Sequence, residues 1–268
     1  RLPSALSVLA VAIAFVTVAR ASLGGRGSII AAMIWLTNIG IIEKGRLIEI
    51  EALYVSLCGL AIIFWLSFFL QKKSPWLMWL PASVFLGLGL LAKGPTQLLF
   101  FYGIVIAVLA YWKDWRVLIH PAHFVALAVM IGVAAAWAIP FVHVTTSQVA
   151  IDKWSGQYTG RLKGIDFKFL DWIQNVPRSL IYFLPWLLLF PFVRFSKLQE
   201  QSEQRLARAL SWGIALPFLA VNLVPGGLAR YSMPAIVPAS WLLGMICAGN
   251  ALQWPRRWMK DERVGPRS

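Results

Sequence analysis

Lys93, Gly94 and Pro95 place a cation, a helix terminator and a helix starter between two apolar runs, 75–92 and 96–111. A second charged stretch, Glu43-Lys44-Gly45-Arg46-Leu47-Ile48-Glu49-Ile50-Glu51, divides the two preceding apolar runs in the same way. If every run crosses a membrane, both stretches emerge on the same side. Ionisable groups at such ends are costly beside lipid, which makes them candidates for function. Lys44, Arg46, Lys93, Arg161 and Arg230 then supply cations among apolar helix ends, with Glu43, Glu49 and Glu51 as nearby carboxylates and Tyr231 next to Arg230. The chemistry suited to this set is capture of a phosphate head group whose tail lies in the bilayer, because Arg binds phosphate in a bidentate manner and Lys as a point charge. Structural ion pairing and snorkelling of long side chains account for the same residues without a ligand. Both readings stand at this point.

The elements that must position these residues are transmembrane helices. The 268 residues are 59% hydrophobic and only 13% charged, too little polar surface to coat a soluble globule of this size. Mean hydropathy is +0.70. The apolar runs fall at about 3–19, 28–42, 51–70, 76–92, 96–112, 122–142, 180–193, 208–224 and 232–252, giving an expectation of about nine spans in an all-α, multi-pass integral membrane protein. Lys and Arg in alternate connections set the orientation. Arg20, Arg26, Lys72, Lys73, Lys113, Arg116, Arg194, Lys197, Arg205, Arg208 and the tail residues Arg256, Arg257, Lys260, Arg263 and Arg267 share one side and make up fifteen of the 25 basic residues. That side is read as cytoplasmic.

The opposite face then carries the outer loops at about 43–51, 93–95, 143–179 and 225–231, with a cytoplasmic tail at about 253–268. Within the long loop, 167–173 reads as a short amphipathic helix with Trp172 at the interface. An odd number of crossings puts residue 1 outside, and the chain opens on Arg1-Leu2-Pro3 with no basic n-region or cleavage site. The expectation is that at least one further span and a first outer loop precede Arg1. The net charge of +14 reflects inward anchoring beside anionic lipid rather than nucleic-acid binding.

Other motifs carry less. Gly89-Leu90-Leu91-Ala92-Lys93-Gly94-Pro95-Thr96 only superficially suggests a phosphate loop: Lys precedes the second Gly, Pro occupies its place, and no strand of a soluble domain precedes it. His120, His123 and His143 lack a plausible ligand set. Cys58 and Cys247 lie inside apolar runs and read as packing residues. A polyprenyl-lipid flippase or secondary transporter would use the same cations, but the chain shows no duplicated halves with paired broken helices.

Five landmarks in order carry a resemblance: Arg1-Leu2-Pro3-Ser4-Ala5-Leu6; Arg46 five residues before Glu51; Leu90-Leu91-Ala92-Lys93-Gly94-Pro95; Leu184-Pro185-Trp186; and Arg230-Tyr231-Ser232-Met233-Pro234. In these the chain resembles the polyprenyl-phosphate-sugar glycosyltransferases related to protein O-mannosyltransferases and lipid A aminoarabinose transferases. The resemblance implies a GT-C-type helical bundle in the inner (plasma) membrane. It also implies inverting transfer of a glycosyl group from a polyprenyl-phosphate-linked sugar to an acceptor such as lipid A, a protein or an envelope glycan at the periplasmic face. On this sequence it makes Lys93 and Arg161 ligands of the donor phosphate, with Arg46, Glu51, Glu43, Lys44, Arg230 and Tyr231 framing the cavity. The family commonly has Asp where this chain has Glu51. Its catalytic carboxylate sits in the first outer loop, so the general base is expected upstream of Arg1 and no residue here is assigned to it. Some members hold a divalent metal through acidic and His side chains. Here Gln157 and Tyr158 precede Arg161 instead of His, and no metal or other cofactor is expected. The partners implied are the donor lipid, an acceptor of unspecified chemistry and the surrounding membrane lipids.

Overall fold

The structure is a computed structural model, and it describes residues 2–47, 49–144 and 169–253. Its helices are α1 (Leu2–Thr17), α2 (Arg20–Leu36), α3 (Ile39–Arg46), α4 (Glu51–Leu70), α5 (Pro75–Ala92), α6 (Thr96–Trp112), α7 (Arg116–Ile119), α8 (Pro121–Val144), α9 (Phe169–Ile173), α10 (Asn175–Ile181), α11 (Gln201–Leu223) and α12 (Ile236–Ala248). Three 3-10 segments, Trp186–Phe192, Phe195–Lys197 and Ala229–Ala235, join the later helices. Among the described residues the only β pairing is the isolated bridge between Val193 and Leu252.

Because lipid is as apolar as a protein core, these helices are held by close packing rather than by an amphipathic stripe. Helix α4 is the centre: it packs on α1, α5, α6 and α12, and Trp65, Ile62, Ile63 and Leu66 on it are fully enclosed. Trp65 stacks on Phe69 at 5.2 Å and meets the edges of Trp79 and Phe101. Helix α12 is equally enclosed and lies against α2. By contrast α8 packs chiefly on α5 and leaves Phe124, Ile131, Trp137 and Ile139 open to lipid.

Among the described residues, five helices are long and apolar enough to cross a membrane, the last being α12 together with its 3-10 lead from Ala229, six if α2 and α3 make one broken span, and α1 and α6 are shorter apolar helices. The expectation of nine continuous spans is corrected at two places. The run 28–42 is split by a 53° bend between α2 and α3. There Asn38 leaves helical geometry and its Oδ1 accepts from Gly40 N at 3.1 Å, starting a new helix. The run 180–193 is not an α-helix: Pro185 and Pro191 lack the N–H that an α-helix interior needs, and the chain takes 3-10 turns instead. A further kink lies at Gly24, whose φ of 70° is open to glycine and strained for other residues.

The alternation of helix directions sorts the connections into two ends. The start of α4, the α5–α6 turn and the segment before α12 share one end. The α1–α2, α4–α5 and α12 exits share the other, where Gln71 Nε2 donates to Val18 O at 3.4 Å and Ser22 Oγ to Ser67 O at 3.4 Å.

Candidate functional site

Glu51 is the first residue of α4 and Lys93 the residue that closes α5. Each charge sits at the helix end that the backbone dipole favours, a carboxylate at an N-terminus and an ammonium at a C-terminus. Gly94, at φ 118°, turns the chain immediately after Lys93, and Pro95 leads into α6. Gln97 braces this turn from below. It is fully buried, its Nε2 donates to Leu86 O at 2.6 Å, and Cys58 Sγ on α4 donates to its backbone carbonyl at 3.7 Å.

The result is a convergence on one atom. Lys93 Nζ donates to Glu51 Oε1 at 3.0 Å, and Arg230 Nε lies 3.1 Å from the same oxygen. The side chains of Glu51, Lys93 and Arg230 are 6%, 17% and 37% exposed, so charge is densest where water is scarcest and the accessible rim is cationic. The ammonium also lies 4.9 Å from the Tyr231 ring centre and 5.5 Å from that of Tyr54. Desolvated contacts of this kind hold a cation by the electron-rich ring face. Three elements distant in sequence thus leave one carboxylate and two cations, a local surplus of one positive charge.

Beside this centre, buried Lys44 on α3 is paired with Glu43 at 3.0 Å and Glu49 at 3.2 Å. Helix α3 is held by its first two amides, Ile39 N on Leu184 O at 2.9 Å and Gly40 N on Tyr182 O at 3.1 Å. Of the residues singled out from sequence, Glu51, Lys93, Arg230 and Tyr231 therefore come together, and Glu43 and Lys44 form the adjoining cluster with Glu49. Arg46 is exposed at the end of α3. Arg161 lies outside the described residues, as do most of the expected loop 143–179 and all but the start of the tail 253–268. The short helix expected at 167–173 is present as α9, and Trp172 Nε1 donates to Leu223 O at 3.3 Å.

Tyr54 and Gln97 were not singled out from sequence. Tyr54 stands three residues after Glu51 on one helix, and that spacing alone puts both on the same face. Gln97 gave a weaker sign, a polar residue inside an apolar run. Two of the three histidines have local partners: His123 Nδ1 contacts Leu118 O at 2.7 Å and Nε2 contacts Tyr102 Oη at 2.9 Å, while His120 Nδ1 accepts from Ala122 N at 3.1 Å. Among the described residues, no three His, Cys, Asp or Glu side chains gather closely enough to hold a metal ion.

A cavity of about 1130 Å³ lies at the opposite end among Gly24, Lys72, Trp112, Asp114, Glu203 and Asn250. It mixes Lys72 and Lys73 with Asp114, Glu200 and Glu203. Volume alone does not make a site, and the Glu51 centre has the directed chemistry.

Two solved structures share this architecture. ArnT from Cupriavidus metallidurans bound to undecaprenyl phosphate aligns with a TM-score of 0.73 at 18% identity, over 97% of this chain and 47% of that one. The apo state of the same protein aligns with a TM-score of 0.72 at 17% identity, over 97% and 46%. The likeness establishes the GT-C-type membrane fold, and the chain spans about half the length of those structures. No curated protein matches significantly. The ordered landmarks from Arg1 to Pro95 lie within residues 1–139, which match the sequence profile described as dolichyl-phosphate-mannose-protein mannosyltransferase. With that match covering more than half of its length, the chain belongs to the dolichyl-phosphate-mannose-protein mannosyltransferase family.

Proposed function

We propose that the Glu51 centre binds the phosphate of a polyprenyl-phosphate-linked sugar and that the protein transfers this sugar, with inversion, to an acceptor at the periplasmic face of the inner membrane. The observation that carries the reading is the approach of Lys93 and Arg230 to a single carboxylate oxygen at a helix end. Such a pair is ready to share an incoming phosphate oxygen. The solved relative that binds undecaprenyl phosphate supports the choice of a lipid phosphate. In the reaction the acceptor oxygen or nitrogen attacks the anomeric carbon, and the bond from that carbon to the phosphate oxygen breaks. The lipid phosphate departs with the electron pair. Lys93 and Arg230 stabilise the charge that develops on it, the type of electrostatic contribution that dominates many transfer reactions. The acceptor proton passes to a base. Glu51 is poorly suited to that task, because two cations already hold its Oε1, and a carboxylate so paired is a weak proton acceptor. The base is therefore assigned to a carboxylate outside this cluster, in line with the family pattern. Arg161 is proposed as a second phosphate ligand.

The test is binding of undecaprenyl phosphate to purified protein in nanodiscs. Lys93→Ala removes a charge-assisted contact worth about 1.5–3 kcal/mol, a loss of roughly tenfold to a hundredfold in affinity. Lys72→Ala, at the opposite end, should change it less than about twofold. Equal affinity in both variants would reduce Lys93 to an anchor. Lipid translocation without sugar transfer would favour a flippase.

A further inference from the structure

Arg230 and Tyr231 belong to a 3-10 segment, Ala229–Ala235, that follows a loop containing Pro225, Gly226 and Gly227. Such a sequence does not by itself hold a guanidinium in register with a carboxylate on another helix. What holds it is a polar network buried behind the segment. Asn222, near the end of α11, is 3% exposed, and Ser179 on α10 and Ser232 are fully buried. Asn222 Nδ2 donates to Ser232 Oγ at 2.8 Å and to Phe218 O at 2.8 Å. Its Oδ1 accepts from Ser179 Oγ at 2.8 Å. Ser179 Oγ also lies 3.2 Å from Ala229 O, and Ser232 Oγ lies 3.2 Å from Ser179 Oγ. Asn175 Nδ2 adds a bond to Gly227 O at 2.6 Å.

The two ends of this grip bracket the functional residues. Ala229 is held through its carbonyl and Ser232 through its hydroxyl, so the backbone of Arg230 and Tyr231 is fixed from both sides. Their side chains are left to meet Glu51 and Lys93. Asn222 uses both amide hydrogens and its carbonyl oxygen in the network, and so ties its own helix α11 to Ser179 on α10 and to Ser232 in the Ala229–Ala235 segment. We infer that Asn222 is a positioning residue for the donor-phosphate site, acting through Arg230 and touching no substrate itself. The inference rests on the assignment of lipid phosphate to Lys93 and Arg230.

A double-mutant cycle on undecaprenyl phosphate affinity in nanodiscs tests it, because a residue that acts through another loses its effect when that other is gone. Asn222→Ala should weaken binding about tenfold in the wild-type background and less than about twofold in the Arg230→Ala background. Ser232→Ala, which removes one acceptor of the network and keeps the fold's apolar contacts, should weaken binding about threefold with the same dependence on Arg230, and serves if Asn222→Ala does not fold. Full, additive loss in the Arg230→Ala background overturns the inference, since general destabilisation would behave that way. Unchanged affinity in Asn222→Ala and Ser232→Ala while Lys93→Ala loses binding overturns it as well. If Lys93→Ala itself binds normally, the donor-site assignment fails first and this inference falls with it.

Discussion

Glu51→Gln changes one charge with almost no change of shape, and its consequences oppose one another. In the folded protein Glu51 neutralises half of the charge on Lys93 and Arg230 at 3.0 and 3.1 Å. Without it two partly buried cations face each other. Breaking a buried pair costs about 3–5 kcal/mol, and the lower end applies because Arg230 keeps 37% exposure. Binding of a lipid phosphate should move the other way. A phosphate shared by the same nitrogens would sit about 5 Å from the carboxylate, and at an effective dielectric of about 20 their repulsion is about 3 kcal/mol. Removing it corresponds to about a hundredfold, of which at least about tenfold should survive screening in physiological salt. The expected outcome is a protein that unfolds earlier in a thermal scan yet binds undecaprenyl phosphate more tightly, the scan being run without added lipid because ligand would mask the loss. Turnover should fall if release of the spent lipid phosphate becomes slow. Weaker binding in Glu51→Gln with unchanged stability would refute the reasoning, because it would make the carboxylate a ligand rather than a competitor.

Three further outcomes are expected, the first from the charge pattern of the sequence and the others from the structure. A membrane-impermeant thiol reagent applied to intact cells should label Ser155→Cys and leave Ser202→Cys untouched, the outcome expected if the side richer in Lys and Arg is cytoplasmic; the reverse pattern would invert the site's placement. Tyr102→Phe deletes the Tyr102–His123 hydrogen bond at 2.9 Å between α6 and α8, and should cost about 1 kcal/mol in chemical denaturation without altering lipid-phosphate affinity. Asn38→Ala removes the cap of α3, and should cost about 1 kcal/mol and loosen the Lys44 cluster, seen as faster proteolysis near residue 45.

The α5–α6 turn was legible because Gly and Pro punctuate an apolar run and a lone Lys has no packing reason to be there. The shared membrane end of Glu51 and Lys93 followed from counting crossings. Their contact did not, because it depends on how closely α4 and α5 pack, and the approach of Arg230 depends on α12 closing against α4. The run 180–193 has the hydropathy of a span, but Pro185 and Pro191 deny it an α-helical ladder. The break at Thr37 and Asn38 was hidden for the opposite reason: the residues on both sides are apolar enough to pass as one span. Ser179, Asn222 and Ser232 left no periodic signature, since small polar residues scattered through apolar runs acquire meaning only when three elements bring them together.

The pairing of Glu51 with both Lys93 and Arg230 has a consequence for the order in which the chain assembles. Glu51 and Lys93 are 42 residues apart and belong to one helical hairpin, so their contact becomes possible as soon as α4 and α5 have both left the ribosome. Arg230 comes much later, after six further helices among the described residues. Over that interval a lone carboxylate or ammonium at the lipid boundary would burden each newly inserted helix. The early pair cancels both charges, allowing the hairpin to rest in the bilayer as a nearly neutral unit. When Arg230 arrives, the centre gains its surplus positive charge. The surplus positive charge of this end is thus acquired last, once the segment that carries Arg230 has docked, and a chain stalled before α12 presents a compensated surface instead of a cationic one.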